Sequence, residues 1–352
     1  MSFIPKPVAR HPGMLPNKIG LTLRDYEGSM STLCAGCGHD SISAAIIQAY
    51  YELDMPPHRV AKLSGIGCSS KTPTYFLGGA HGFNSAHGRM AAIATGANAA
   101  NRAINYIGVS GDGDSLSIGL GHLCHAIRRN LDIMYVLENN GVYGLTKGQF
   151  SAATDVGSKS KKGEANVMSP IDPVILALSL GIGFVARSFS GDKKQLVPIL
   201  KAAIKYKGFA LIDIISPCVT FNDHEGSTKS YRHTRKNQLP VLQSDFVAAG
   251  DQEITADYEA GSTKRVKLHD GGEVVFRKVP EDYDPHSREK VVDYIESHTR
   301  NGEILTGLLY FDESKPDMHG VAGTVDEPLN AVPYEKLCPG SAALKKMQAG
   351  LR

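Results

Sequence analysis

Residues 105–142 read NYIGVSGDGDSLSIGLGHLCHAIRRNLDIMYVLENNGV, and the order of apolar and glycine-rich segments in this stretch decides the fold. Asn105 to Ser110 has strand character and runs into Gly111-Asp112-Gly113-Asp114. Leu116, Leu120, Leu123 and Ile127 then recur at i, i+4, i+7 and i+11, the spacing of one helical face. A second apolar run, Ile133 to Leu137, ends at Glu138-Asn139-Asn140-Gly141-Val142. Strand, acidic glycine turn, helix, strand and polar turn make a βαβ unit with both turns on one edge of a sheet. Glycines at such an edge let the backbone approach a diphosphate, and the following helix N-terminus presents unpaired N–H groups. Asp112 can give Mg²⁺ a hard carboxylate oxygen, while Asn140 and a backbone carbonyl near Val142 add neutral oxygens.

The alternation continues in both directions. Upstream, Ile42, Ala45, Ile46, Ala49 and Leu53 mark a helical face, with Asp40 as its expected N-cap. Val60 to Leu63 reads as a short strand ending in Ser64-Gly65-Ile66-Gly67-Cys68-Ser69-Ser70-Lys71. A glycine-rich turn from Phe83 to Arg89 then opens an Ala-rich helix reaching Ala103. Downstream, helices starting at Pro173 and Lys193 alternate with strands starting at Phe184 and Phe209, so an α/β domain with a mostly parallel sheet is expected. Residues 144–168 lack periodicity and read as a long loop, of a length that is usually functional or mobile. From about residue 236 the pattern changes to a hairpin between Val266 and Phe276, a helix near Glu289, a strand from Ile304 to Phe311 and a tail of Gly, Pro and charge. The expected organisation is an arm over 1–30, the α/β domain over 31–235, and an extension over 236–352 packed on that domain or on a partner.

Composition narrows the function classes. With 352 residues there is chain enough for a real core, and a formal net charge of +2 gives no whole-molecule field pointing to nucleic acid or membrane. The proline-rich N-terminus lacks the apolar core of a secretory signal, and no apolar run approaches the roughly 20 residues of a spanning helix. A soluble, cytoplasmic chain is expected. Six cysteines in a reducing compartment then favour metal or cluster ligation over disulfides.

Cys34-x-x-Cys37 precedes a helix, while Cys68 and Cys218 each end a strand. Four thiolates on loops at one sheet edge can hold a tetrahedral Zn²⁺ or a 4Fe–4S cluster, and a lone Cys-x-x-Cys can also be a redox dithiol. One pair with two distant singles fits a cluster better than zinc, which paired knuckles would favour. Cys124 sits on the apolar helical face and reads as a core residue; Cys338 has no visible partner in the tail.

Between Gly113 and Asn139 lie 25 residues, and the chain here resembles the thiamine-diphosphate enzymes. A longer set of motifs resembles one family, the β subunits of 2-oxoacid:ferredoxin oxidoreductases, over roughly Thr32 to Glu225. It comprises Cys34-Ala35-Gly36-Cys37-Gly38-His39, Gly65-Ile66-Gly67-Cys68-Ser69, His87-Gly88-Arg89, Gly111-Asp112-Gly113-Asp114 with Ile118-Gly119-Leu120-Gly121-His122, and the run Asn139 to Gln149. The resemblance implies a thiamine-diphosphate-binding fold with a mostly parallel, helix-flanked sheet and a C-terminal extension. It implies Mg²⁺ on Asp112, Asn140 and the Val142 carbonyl, and a 4Fe–4S cluster on Cys34, Cys37, Cys68 and Cys218. Cofactor contacts are implied at Ile66, Gly67, Cys68, Ser69, His87, Gly113, Asp114, Gly144 and Leu145.

The plainer reading of His39, His122 and His125 is a packed or hydrogen-bonded residue; His87 carries functional weight because the family sets this His-Gly-Arg turn against the cofactor. Lys159, Lys161 and Lys162 read as a solvated loop cluster, whereas Lys71 and Lys147 lie in cofactor-proximal turns and, with Leu145, outline a substrate pocket. In this family the Lys71 position binds the distal end of the 2-oxoacid, and a lysine there suits the second carboxylate of 2-oxoglutarate over pyruvate. The implied reaction is oxidative decarboxylation of a 2-oxoacid with coenzyme A, with electrons passing to ferredoxin, or its reverse. No second long βα run follows residue 236 to supply the activating glutamate of thiamine enzymes. The chain is therefore expected to need an α subunit in an αβ or (αβ)₂ assembly. A pyruvate-specific homologue, a non-redox decarboxylase subunit with structural zinc, and a non-enzymatic cluster scaffold are the alternatives.

Overall fold

The computed structural model describes residues 13–160, 163–241, 263–267, 273–277, 283–338 and 340–351. The first 12 residues of the expected arm, Lys161, Lys162 and the turn of the expected hairpin at 268–272 lie outside the described residues. The strands in chain order are β1 (Val60–Ser64), β2 (His81–Asn84), β3 (Asn105–Gly111), β4 (Ile133–Asn139), the short pair β5 (Val142–Tyr143) and β6 (Gln149–Phe150), β7 (Phe184–Phe189), β8 (Phe209–Ile215), β9 (Gln238–Pro240), β10 (Thr263–Lys267), β11 (Glu273–Arg277) and β12 (Ile304–Phe311). The helices are α1 (Gly38–Glu52), α2 (Met90–Ala100), α3 (Leu120–Arg128), α4 (Pro173–Ser179), α5 (Lys193–Lys205), α6 (Tyr231–Asn237), α7 (Arg288–Arg300) and the tail helices α8 (Met318–Ala322), α9 (Tyr334–Leu337) and α10 (Gly340–Ala349).

One eight-stranded sheet runs β2-β1-β3-β4-β8-β7-β12-β9. Its neighbours pair in parallel except β12 against β7. β4 and β8 are buried at every position, as central parallel strands covered on both faces must be. Alternate residues feed two cores, as a period of two requires. Leu63, Tyr135, Leu137, Val185 and Leu211 pack under α2, α3, α4 and α7. Val60, Ile107, Val136, Ala186 and Ile212 pack under α1 and α5. Each fully buried Val, Leu or Ile contributes about 1.5–3 kcal/mol, so the central strands are held by both layers.

Four expectations are corrected in detail. α1 begins at Gly38 with Cys37 as its N-cap, and Asp40 stands in the first turn, where its charge suits the helix dipole instead of capping it. Phe83 and Asn84 belong to the edge strand β2 rather than to the following turn. The helix expected through Leu116 is divided: Gly113–Ile118 forms a π-helical turn, closed by Gly119 N–H donating to Asp114 C=O at 2.8 Å, and α3 starts after it. Cys124 is half-buried on α3, not in the core.

The extension contributes to the main sheet, since β12 pairs antiparallel with β7 and α7 packs on the same core. Residues 13–30 lie on the chain's own surface, where Asn17 donates to the Tyr26 hydroxyl at 2.9 Å and Glu27 bridges Phe76. Among the described residues, no helix is long and apolar enough to cross a membrane.

Candidate active site

The loops leaving the C-terminal ends of β1, β3 and β4 wall a cavity of about 360 Å³. Ile66, Gly67, Cys68 and Ser69 come from the first, Gly111 to Asp114 from the second, and Asn140, Val142, Gly144 and Leu145 from the third; His87 and Ile118 close one side. A crevice at the carboxyl ends of parallel strands is where this class of sheet takes its ligands.

Asp112 is 1% exposed. One carboxylate oxygen accepts the Asn140 N–H at 3.1 Å and the other accepts the Ser151 hydroxyl. Burial pushes this carboxyl up to about 6 although both hydrogen bonds pull it down. A buried carboxylate with uncharged partners is a cost that a bound cation removes. Beside it, the Asn140 side-chain oxygen accepts Val142 N–H at 3.0 Å, and the Asn140 carbonyl accepts from Asn222 at 2.7 Å. Thr154 donates to the Gly141 carbonyl at 2.7 Å, so the Asn140–Val142 turn is fixed from both ends. Gly113 must lack a side chain, because a Cβ there would lie 2.5 Å from the Tyr143 ring. The donor set and the glycine cradle therefore fit a divalent cation and a diphosphate.

Asp114 lines the same cavity, but its oxygens are engaged within the chain. They accept Gly88 N–H and the Ser110 hydroxyl, each at 2.8 Å. A Cβ on Gly65 would stand 1.8 Å from one of them. Asp114 thus staples the turns after β1 and β3 to the His87-Gly88 turn.

The thiols of Cys34, Cys37, Cys68 and Cys218 form one group. Burial raises Cys37 to about 12 and Cys68 to about 11, and raises Cys218 as well, with neighbouring thiols of the group adding to each. A Cβ on Gly144 would lie 3.5 Å from the sulfurs of both Cys68 and Cys218. Thr220 donates to the Cys34 sulfur at 3.6 Å. Cys124 lies on α3 and Cys338 caps the C-terminus of the tail helix α9. Among the described residues, no three His, Cys, Asp or Glu side chains gather closely enough to hold a single metal ion.

Two groups between the thiols and the Asn139–Asn140 turn escaped the sequence reading in this role. His39 Nδ1 meets Ser216 Oγ at 2.7 Å and lies 3.2 Å from a carboxylate oxygen of the fully buried Glu138. Burial lowers His39 to about 4 and raises Glu138 well above its ordinary value. Tyr143 covers Gly113 and donates to its carbonyl at 2.8 Å; it and Gln149 lie in the quoted run from Asn139. Ser151, the partner of Asp112, lies just beyond that run and had no signal of its own.

Lys71 and Lys147 do not line the cavity. Lys71 sits on the 3-10 turn Ser69–Thr74, donates to the Thr32 carbonyl at 3.4 Å, and its charge reaches Cys68. Lys147 is exposed at the tip of the turn after Gly144, with φ +79°. His87 and Leu145 stand exposed at the cavity's border, whereas His122 is paired with Arg89 away from it. Lys159 lies on an exposed loop closed by a bridge to Ala165. A second cavity, of about 390 Å³, lies across Asn139. Its guanidinium, Arg187, is held by Asp172 at 2.6 Å and Asp213 at 2.8 Å, and Asn139 donates to Asp213 at 3.0 Å, which ties the β4 turn to β7 and β8.

Known proteins match this arrangement. The family described as thiamine pyrophosphate enzyme, C-terminal TPP binding domain, matches residues 65–214. The 2-oxoacid:ferredoxin oxidoreductase subunit beta of Saccharolobus solfataricus is 45% identical over 207 residues, 58% of this chain and 67% of that one. The protein of that name from Sulfolobus sp is 41% identical over 239 residues, 67% of this chain and 78% of the relative. Among solved structures, 2-oxoglutarate:ferredoxin oxidoreductase from Magnetococcus marinus, with 2-oxoglutarate, coenzyme A and succinyl-CoA bound, superposes with a TM-score of 0.71 at 29% identity, covering 93% of this chain and 97% of that one.

Proposed function

Because the chain belongs to the family of 2-oxoacid:ferredoxin oxidoreductase β subunits, we propose that its sheet-edge cavity holds thiamine diphosphate with Mg²⁺ and that Cys34, Cys37, Cys68 and Cys218 hold a 4Fe–4S cluster beside it. The substrate is 2-oxoglutarate, converted with coenzyme A to succinyl-CoA and CO₂, with the electrons leaving for ferredoxin. One observation carries the pairing of cofactor and cluster: Cys68 lines the cavity and also belongs to the thiol group, with Gly144 against both Cys68 and Cys218.

Bound thiamine diphosphate supplies the nucleophile and the electron sink for decarboxylation. The chain supplies position. Asp112, Asn140 and the Val142 carbonyl hold the metal, and Ser151 keeps the Asp112 carboxylate aimed. Tyr143 shields the diphosphate cradle, while His87 and Leu145 border the mouth through which the oxoacid enters. The long bond of Lys71 to Thr32 leaves its ammonium able to meet a distal carboxylate. Among the described residues, the only acids lining the cavity are Asp112 and Asp114, and each is engaged within the chain. The activating glutamate therefore comes from a partner α subunit.

Turnover tests this reading. The chain co-expressed with its α partner reduces ferredoxin or viologen with 2-oxoglutarate and coenzyme A, and with pyruvate more slowly. The chain alone is silent, and robust turnover without a partner refutes the half-site. Within the complex, Lys71→Ala raises the KM for 2-oxoglutarate at least about tenfold, or about 1.4 kcal/mol, and leaves that for 2-oxobutyrate unchanged; equal effects exclude a role for Lys71 in recognising the second carboxylate.

A further inference from the structure

Resting on the proposed cluster site, we infer that α6 and the loop before it form the docking surface for an acidic, cluster-carrying electron-acceptor protein. An acceptor must come close to the cluster, and the exposed side of the thiol group shows where. Cys34, Ala35, Gly36 and Thr220 are exposed, as is Val219 at 37%. α6 adjoins these loops: the Tyr231 hydroxyl donates to the Gly36 carbonyl at 3.1 Å, between the two cysteines of the Cys34-x-x-Cys37 turn. The Tyr231 ring packs on Phe189 at 5.7 Å, and the Arg235 guanidinium lies 5.3 Å over that ring. One aromatic side chain thus spans from the cysteine turn to a surface cation.

The charge is one-sided. α6 carries Arg232, Arg235 and Lys236 and no acid, and all three cations are exposed. Within 223–237 the acids are Asp223 and Glu225; Asp223 already accepts the Tyr231 N–H at 2.9 Å. The remaining lysine there, Lys229, faces Asp155 at 3.6 Å and lies inward of the patch. The segment bounds an open depression of about 1000 Å³, large enough to seat a loop of a partner. A basic concavity beside an electron exit steers an acidic carrier and favours the fast release that turnover requires.

The test uses the co-purified complex with Arg232→Glu, Arg235→Glu and Lys236→Glu combined, and a milder pair, Arg232→Gln with Arg235→Gln. An acidic bacterial-type ferredoxin in its oxidised form is the binding probe, followed by biolayer interferometry at about 50 and about 300 mM NaCl. Methyl viologen, a small dication needing no docking patch, is the second acceptor. The expected result is a rise of at least about tenfold in both Kd and KM for ferredoxin in the triple variant, with a flatter salt dependence. The glutamine pair gives a smaller rise in the same direction. Viologen turnover and co-purification of the α subunit stay native, and Lys345→Glu with Lys346→Glu on the exposed α10 has no effect on either acceptor. Unchanged ferredoxin binding, or loss of the α subunit from the triple variant, overturns the docking surface. Failure of the native complex to reduce viologen with any oxoacid would instead overturn the enzymatic reading, and the binding measurement separates the two.

Discussion

Replacing Cys37 with alanine is expected to empty the iron site and leave the thiamine diphosphate in place. Cys37 is both the N-cap of α1 and a half-buried thiol of the group, with its proton affinity pushed up to about 12. Such a thiol becomes a thiolate when a metal neutralises it, so the proposed ligand role and the burial are linked. Loss of a side chain that merely supports a metal ligand costs about 10–100-fold in metal affinity, and loss of the ligand itself costs more. Iron content and visible cluster absorbance should fall below about a tenth of native, and 2-oxoacid-dependent reduction of ferredoxin below about a hundredth. The proposed metal turn is held by hydrogen bonds from Asn222, Thr154 and Ser151, all independent of Cys37, so thiamine diphosphate per chain should stay near native. Cys124→Ala and Cys338→Ala should retain both. A Cys37→Ala protein with full iron removes this cysteine from the ligand set.

Asp112→Asn is expected to separate cofactor binding from folding. The amide preserves the shape and can still accept the Asn140 N–H, but it removes the charge that a hard cation requires. Affinity for thiamine diphosphate at saturating Mg²⁺ should drop at least about 100-fold, read by calorimetric titration, and turnover should fall with it. Burial holds the native carboxyl near 6. In the cofactor-free protein at neutral pH this group is therefore a buried charge offset mainly by neutral hydrogen-bond donors, and its neutral replacement should melt at or above the native temperature. A large fall in melting temperature would mean that Asp112 is a structural strut. Retained affinity with native melting would move the metal elsewhere.

What the sequence revealed depended on the range of the interactions involved. The strands from Asn105, Ile133, Phe184 and Phe209 were readable because burial on both faces leaves continuous apolar runs. The helical face of α1 was readable from the period of Ile42, Ala45, Ile46, Ala49 and Leu53. The π-helical turn after Asp112 was not, because it is set by Asp114 reaching Gly88 and Ser110, and Gly88 lies on a different loop. The pairing of β12 with β7 likewise depends on a partner more than 100 residues away. Tail helices α8 to α10 were missed because their apolar residues are too few to mark a buried face. In the site, the resemblance to a known family marked residues that line the cavity after β1, β3 and β4. It also marked Lys71 and Lys147, which neighbour the cofactor turns in sequence but do not line the cavity. Ser151 and the His39–Glu138 pair were illegible as site elements, since only the folded chain brings them to the thiols and the metal turn.

One sheet edge is proposed to hold a thiamine cofactor and an iron–sulfur cluster on adjoining loops. The most direct test of this is the iron and thiamine diphosphate content of the anaerobically purified complex. About four iron atoms and about one thiamine diphosphate per copy of this chain are expected. Thiamine diphosphate without iron, or iron without thiamine diphosphate, would contradict the shared edge.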